Sequence, residues 1–271
     1  MKPLVLTLRH EPPERLDLSP LVPHRLAGQT AAEIAAIELQ TTRHKIAVGD
    51  VFRLRMGDAG QIRIEGGSDR LDRVGREMSG GAIVVEGDVG IEAGRLMAGG
   101  QLSIAGNAGP MAASGMKGGR IDISGDAGDR LGGPLAGETA GMRGGIVVVR
   151  GNAGERAADR LRRGTIMVEG RAGPHAGSRM IAGTLIVRRR CGAMPGYLMN
   201  RGTIVLGAGA DELSPTFIDG GIHDLVALRL IAAFVGDHSR KAAAILRRPL
   251  RRYAGDMAAL GKGELFVAEQ P

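Results

Sequence analysis

An interval of 19 residues runs through the middle of this chain and limits what it can fold into. Apolar anchors fall two residues after a glycine at Ile62, Ile83, Leu102, Ile121, Val147, Ile166, Leu185 and Ile204. Their spacings are 21, 19, 19, 26, 19, 19 and 19; the 26 is one repeat plus seven residues supplied within Gly132–Gly141. Other columns keep the same register. Two residues after the anchors stand Ile64, Val85, Ile104, Ile123, Val149, Val168, Val187 and Leu206. Glycine recurs two before each anchor, and nearly always four and seven after it; Arg189 and Ala208 depart from that pattern. Five before most anchors stands Met78, Met97, Met116, Met142, Leu161, Met180 or Met199.

Each unit alternates apolar and polar over five residues between glycines, as a strand buried on one face does. Nineteen residues hold one or two such strands with their turns, but no helix. Successive units therefore stack as parallel strands. At roughly 4.8 Å per coil, eight coils make a rod of about 40 Å. The expected fold class is all-β: a right-handed parallel β-helix, a single-stranded solenoid of about 19 residues per coil, with the usual hand of parallel crossovers. Methionine can ligate soft metals, but the Met column keeps the solenoid's phase and admits Leu161, which reads as core filling. The glycine columns recur in every coil with no Gly-Lys-Ser/Thr after them, so they serve turns rather than phosphate.

An open solenoid needs its ends covered. Residues 1–58 read as a small α/β cap, 59–209 as the β-helix, and 210–271 as a helical C-terminal extension and tail. In the cap, Thr30 to Glu33 forms a capping box opening a helix through Glu38, and Asp50 to Leu54 reads as a strand. After Leu206, residues 222–235 are apolar at helical spacing, with Gly236 as a stop. A second helix is expected from His238 to Arg248, capped by Asp237, before a turn and a last strand at the chain's end.

Composition narrows the function. The net charge is +7, which favours an anionic partner. Two Tyr, four Phe and no Trp leave little for stacking on single-stranded nucleic acid, and no zinc-finger or basic-zipper spacing occurs; no nucleic-acid partner is expected. The single Cys191 excludes an internal disulfide. The apolar run at the N-terminus is too short for a secretory signal and no stretch reaches a membrane span, so no membrane contact and a cytoplasmic location are expected.

Two surface features stand out. The residue after each anchor points outward, and its last four members, Val148, Met167, Ile186 and Val205, are consecutive and apolar. Such a stripe is covered by the C-terminal helix or by a partner protein. Residues 143–201 hold twelve Arg and three acids, a net +9. They form either a solvated or partner-bridging face, or a groove for an extended polyanion, since the guanidinium fork matches carboxylates. No catalytic or metal site can be assembled. His10, His24, His44, His175, His223 and His238 lack ligand spacing. His175 sits in a coil turn. Cys191 follows three arginines that could activate it, or is a buried structural thiol at a coil corner.

The phrase Met-x-Gly-Gly-x-Ile-x-Ile-x-Gly-x-Ala-Gly, repeated at this period, resembles the C-terminal β-helix domain of glutamate synthase and the C subunit of the formylmethanofuran dehydrogenases. The second resemblance extends to Ile46 through Phe52, to the insertion ending Gly141-Met142-Arg143-Gly144-Gly145, and to Gly255-Asp256 and Gly261 through Glu264. The composition is similar to that of bacterial relatives, which belong to a formyltransferase/hydrolase complex. The resemblance implies a non-catalytic subunit of a complex moving formyl from tetrahydromethanopterin to a methanofuran-type carrier and releasing formate. It implies amidohydrolase-like, formyltransferase and dehydrogenase-like partners, with zinc in another subunit and no cofactor bound by this chain alone. It also gives the Arg-rich coils a ligand, the carrier's glutamate-rich tail, at Arg179, Arg188, Arg189, Arg190 and Arg201. Two rival readings are an acyltransferase acting alone, whose hexapeptide period is absent here, and a glutamate-synthase-like domain relaying between sites of another oxidoreductase.

Overall fold

The computed structural model describes residues 2–41 and 45–268. The N-terminal part contains β1 (Pro3–Leu8), β2 (Leu16–Asp17), α1 (Pro23–Leu26), α2 (Ala31–Ala35), β3 (Glu38–Leu39), β4 (Ile46–Ala47), α3 (Val48–Val51) and β5 (Phe52–Arg55). The repeat supplies β6 (Asp58–Glu65), β7 (Leu71–Asp72), β8 (Ala82–Glu86), β9 (Gln101–Ile104), β10 (Arg120–Ile123), β11 (Arg143–Val149), β12 (Arg163–Val168), β13 (Thr184–Val187) and β14 (Arg201–Leu206). There follow β15 (Ile218–His223), α4 (Val226–Gly236), α5 (Arg240–Ile245), β16 (Leu250–Gly255) and β17 (Lys262–Ala268).

The architecture is mostly β and centres on one mixed sheet of 13 strands. Anchor pairs with anchor along its parallel part: Ile62 with Ile83, Ile83 with Leu102, and on through Leu185 with Ile204. A second parallel ladder joins Val89, Ala108, Ala127, Ala153, Ala172, Cys191 and Ala210. Two ladders repeating once per 19 residues fit a β-helix-like solenoid.

The glycine two before each anchor has two reasons to be glycine. From Gly81 to Gly202 all seven have φ between +76° and +107°, a region side chains enter at a cost. A Cβ there would also strike the previous coil: at Gly119 it would lie 2.7 Å from the Gly100 carbonyl oxygen. The Met column is buried within the aliphatic core from Met78 to Met199. The seven extra residues loop out and return where the Met142 N–H donates to Gly132 O at 2.7 Å.

Several expectations change at the ends. The parallel run has ten strands, because β1 pairs with β6 (Leu4 with Ile62) and β17 with β14 (Leu265 with Ile204). Antiparallel strands then finish it, β5 beside β1 and β16–β15 beside β17. The Thr30 capping box forms, but α2 stops at Ala35 instead of reaching Glu38. Glu38 and Leu39 pair with Ala47 and Ile46, so tertiary hydrogen bonds win over continued helix. Val51, expected in a strand, closes the short α3. Ile222 and His223 belong to edge strand β15, which delays α4 to Val226. Helix α5 is capped by Ser239, whose hydroxyl accepts from Ala242 N at 3.2 Å, rather than by Asp237.

Candidate docking and anion-facing surfaces

The outward apolar column is buried inside this chain. Val148, Met167, Ile186 and Val205 form one cluster with Leu228, Ala232 and Val235 of α4, and with Ala242, Ala243 and Ile245 of α5. Phe266 joins the same cluster and extends the column, since β17 sets it beside Val205. The helix pair thus lies across coils five to eight.

A polar node fastens it there. Glu169, almost wholly buried at the end of β12, accepts from Ser239 Oγ at 2.8 Å, from Lys241 Nζ at 2.9 Å and from Arg150. Burial alone would push this carboxyl up, but the hydrogen bonds of Lys241, Ser239 and Arg150 outweigh it and hold Glu169 below its ordinary range. At the other margin Arg120 donates to His238 Nδ1 at 2.7 Å. The Glu169 node escaped the sequence reading. Its column, three after the anchors, mixes Glu, Ala, Ser, Arg and Gly, and its helix partners Ser239 and Lys241 lie some seventy residues away.

The far side of α4 is apolar too. Val226 and Leu230 are each 69% exposed, Phe234 follows on the same stripe, and Ile218 and Ile222 of β15 are also exposed. A helix apolar on both sides is ordinarily buried on both.

The five arginines singled out for a polyanion do not make one patch. Arg179 forks onto Asp159, with Nε at 3.0 Å from Oδ1. Arg190 pairs with Asp211 at 2.5 Å, and Arg188 Nε donates to the Glu169 carbonyl at 2.8 Å. Arg189 and Arg201 are exposed. Arg201 stands three residues before its anchor and Arg188 three after, which puts about 20 Å of strand between these two ends.

Among the described residues nothing assembles chemistry around Cys191. Its thiol lies buried in the second ladder, and burial, helped by Asp211, pushes it up to about 12 in spite of the three preceding arginines. His175 is a half-buried turn residue with φ +58° and its ring edge-on to Tyr197. His44 lies outside the described residues. Among the described residues no group of three or more His, Cys, Asp or Glu could hold a metal, and no helix is long and apolar enough to cross a membrane.

No family model matches the chain. Among curated proteins, the Fhc C subunit of the formyltransferase/hydrolase complex of Methylorubrum extorquens is 55% identical over 262 residues, covering 97% of this chain and 98% of the relative. The C subunit of the tungsten-containing formylmethanofuran dehydrogenase 2 of Methanococcus maripaludis is 28% identical over 93 residues, 34% of each chain. The crystal structure of the formyltransferase/hydrolase complex (FhcABCD) from Methylorubrum extorquens in complex with methylofuran contains a chain with 46% identity and a TM-score of 0.95. That match covers 98% of this chain and 100% of that one. Near-complete coverage in sequence and structure means that this chain belongs to the family of formyltransferase/hydrolase complex C subunits.

Proposed function

We propose that this chain is the non-catalytic assembly subunit of a formyltransferase/hydrolase complex. Its scaffold is a right-handed parallel β-helix at 59–209, between the cap at 1–58 and the extension at 210–271. In this reading the complex passes formyl from tetrahydromethanopterin to a methanofuran-type carrier and releases formate. The reactions belong to the partners: a zinc amidohydrolase-like subunit, a formyltransferase and a dehydrogenase-like subunit. The observation that carries the reading is α4. Its inner side packs on the outward column, while Val226, Leu230 and Phe234 face away. A surface of that kind calls for a protein partner.

The carrier's glutamate-rich tail is assigned to the corner at Arg188–Arg190, with exposed Arg189 as its freest cation; Arg179 and Arg201 lie apart from that corner. Replacing Val226 and Leu230 by Asp tests the assembly role: the chain stays folded and the other subunits no longer co-purify. A complex of unchanged composition would overturn it. In the same preparation, Ser at 188, 189 and 190 lowers carrier content, most strongly at low salt, and the gap from wild type narrows as salt screens the attraction. Unchanged content at low and high salt removes the tail assignment.

A further inference from the structure

The seven-residue insertion roofs a cleft that the solenoid itself does not require. The cleft has a volume of about 310 Å³ and lies between residues 134–138 of the loop and four guanidinium groups, those of Arg130, Arg156, Arg160 and Arg179. These occupy two ladders of the turn. Arg130 stacks beneath Arg156, its N–H bonded to Glu155 O at 2.7 Å, and Arg160 beneath Arg179, its N–H bonded to Ser178 O at 2.9 Å. Successive coils are roughly 4.8 Å apart, so each ladder sets like charges side by side. All four residues hold φ between +49° and +56°.

The two carboxylates lining the cleft are already engaged. Asp159 accepts from Arg179 and from Ser178 Oγ at 2.9 Å. Glu138 accepts from Arg95 at 2.8 Å and from Leu135 N at 2.9 Å, and Arg95 above all holds it below the ordinary carboxylate range. Arg160 Nη1 is held by the Glu138 carbonyl at 3.0 Å, a main-chain anchor that leaves its charge unanswered. Among the described residues Arg156 has only its neighbour Glu155, at 3.7 Å. For Arg130 the described residues supply no carboxylate. Three surplus guanidinium forks thus converge on an open cleft under a loop.

We propose that this cleft binds a ligand carrying two or more carboxylates, held by Arg130, Arg156 and Arg160. Planar forks spaced one coil apart suit carboxylates bidentately, and the loop supplies an adjustable wall. The ligand is either a free polycarboxylate or an acidic chain, which share the same chemistry. The assignment is independent of the carrier tail at Arg188–Arg190.

The test uses the purified complex, fluorescein-labelled tetraglutamate and fluorescence anisotropy at low salt. Ser at 130, 156 and 160 together weakens binding at least tenfold with an unchanged melting temperature, and the single Arg130→Glu variant weakens it severalfold should the triple variant fold poorly. All of these measurements are made in the background of Ser at 188, 189 and 190, so that the corner assigned to the carrier's tail does not capture the probe. Displacement by micromolar citrate identifies a free polycarboxylate as the ligand; displacement only by unlabelled tetraglutamate identifies an acidic chain. Unchanged affinity in both cleft variants, or displacement by inorganic phosphate as readily as by either carboxylate ligand, overturns the proposal.

Discussion

Gly119 and Gly137 form a matched pair that separates two reasons for glycine in a solenoid. Their φ values are +85° and +83°. Adding a methyl group at either costs about 1–2 kcal/mol for holding an L residue in left-handed backbone. At Gly137, on the insertion loop, the new Cβ would meet nothing within 4 Å. At Gly119 it would lie 2.7 Å from the Gly100 carbonyl oxygen, 2.7 Å from Met97 Cε and 2.9 Å from Gly99 C. That carbonyl also accepts the coil-to-coil hydrogen bond from Arg120 N at 3.0 Å. Met97 can swing aside, but the backbone cannot move without opening the rung. Overpacking adds about 1–3 kcal/mol, and weakening the rung about 0.5–1.5 kcal/mol. Gly119→Ala is therefore expected to lose roughly 1.5–4.5 kcal/mol more than Gly137→Ala, on the sum of those two costs. Urea titration of the full chain, followed by circular dichroism, measures both. Equal losses would refute the close-approach argument and leave φ alone as the reason for the column.

The Glu169 node predicts a pH signature. Its carboxyl is held below its ordinary value of 4.5 in the folded chain. Its stabilisation is therefore fully present above that value and disappears as pH falls through the lower folded value. Glu169→Gln loses about 1.5–3 kcal/mol at pH 7, and the gap from wild type closes as urea midpoints are followed down to pH 3; a constant gap rejects the assignment. Cys191, with its thiol pushed up to about 12, carries a thiolate fraction of about one in ten thousand at pH 8. A thiol reagent labels it rapidly only in denaturant, and its slow native labelling is unaffected by Ser at 188, 189 and 190. Rapid native labelling would mean that the arginines do activate it.

The repeat was legible because its signal is local and redundant. Gly119, Ile121 and Ile123 each have counterparts in adjoining coils, so the strand, its buried side and its neighbour can be read together. The two extra rungs carry no such signal. Leu4 and Leu6, or Leu265 and Val267, alternate as any strand does, and only pairing across the fold makes them rungs. Helix ends failed for the same reason: Glu38 continues a good helical pattern, yet finds Ala47. The cleft under the insertion was hidden because Arg130 and Arg156 are 26 residues apart in sequence and become neighbours only once the insertion loops out. The apparent Arg patch has the opposite error, since proximity in sequence between Arg188 and Arg201 places them at opposite ends of adjoining strands.

Helix α4 shows how far a hydrophobic pattern can be pressed. The outward column at Val148, Met167, Ile186 and Val205 demanded a cover, and the run Val226-Ala-Leu-Arg-Leu-Ile-Ala-Ala-Phe-Val235 offered one. Covering that column uses only one side of the helix, through Leu228, Ala232 and Val235. Had the cover been the helix's whole task, positions 226, 230 and 234 would carry the charged residues that usually face solvent. They carry Val, Leu and Phe instead. The inward stripe is satisfied within the chain, and the outward stripe is the one the proposed assembly role uses. Because the two stripes interleave along a single segment, hydropathy alone reads them as one buried helix, and only the packing separates the inward contact from the outward one. On this argument Leu228→Asp strips α4 from the sheet and destabilises the isolated chain, whereas Leu230→Asp leaves its stability unchanged and removes the partner. A stability loss in both variants would mean that the outer stripe, too, belongs to the chain's own fold.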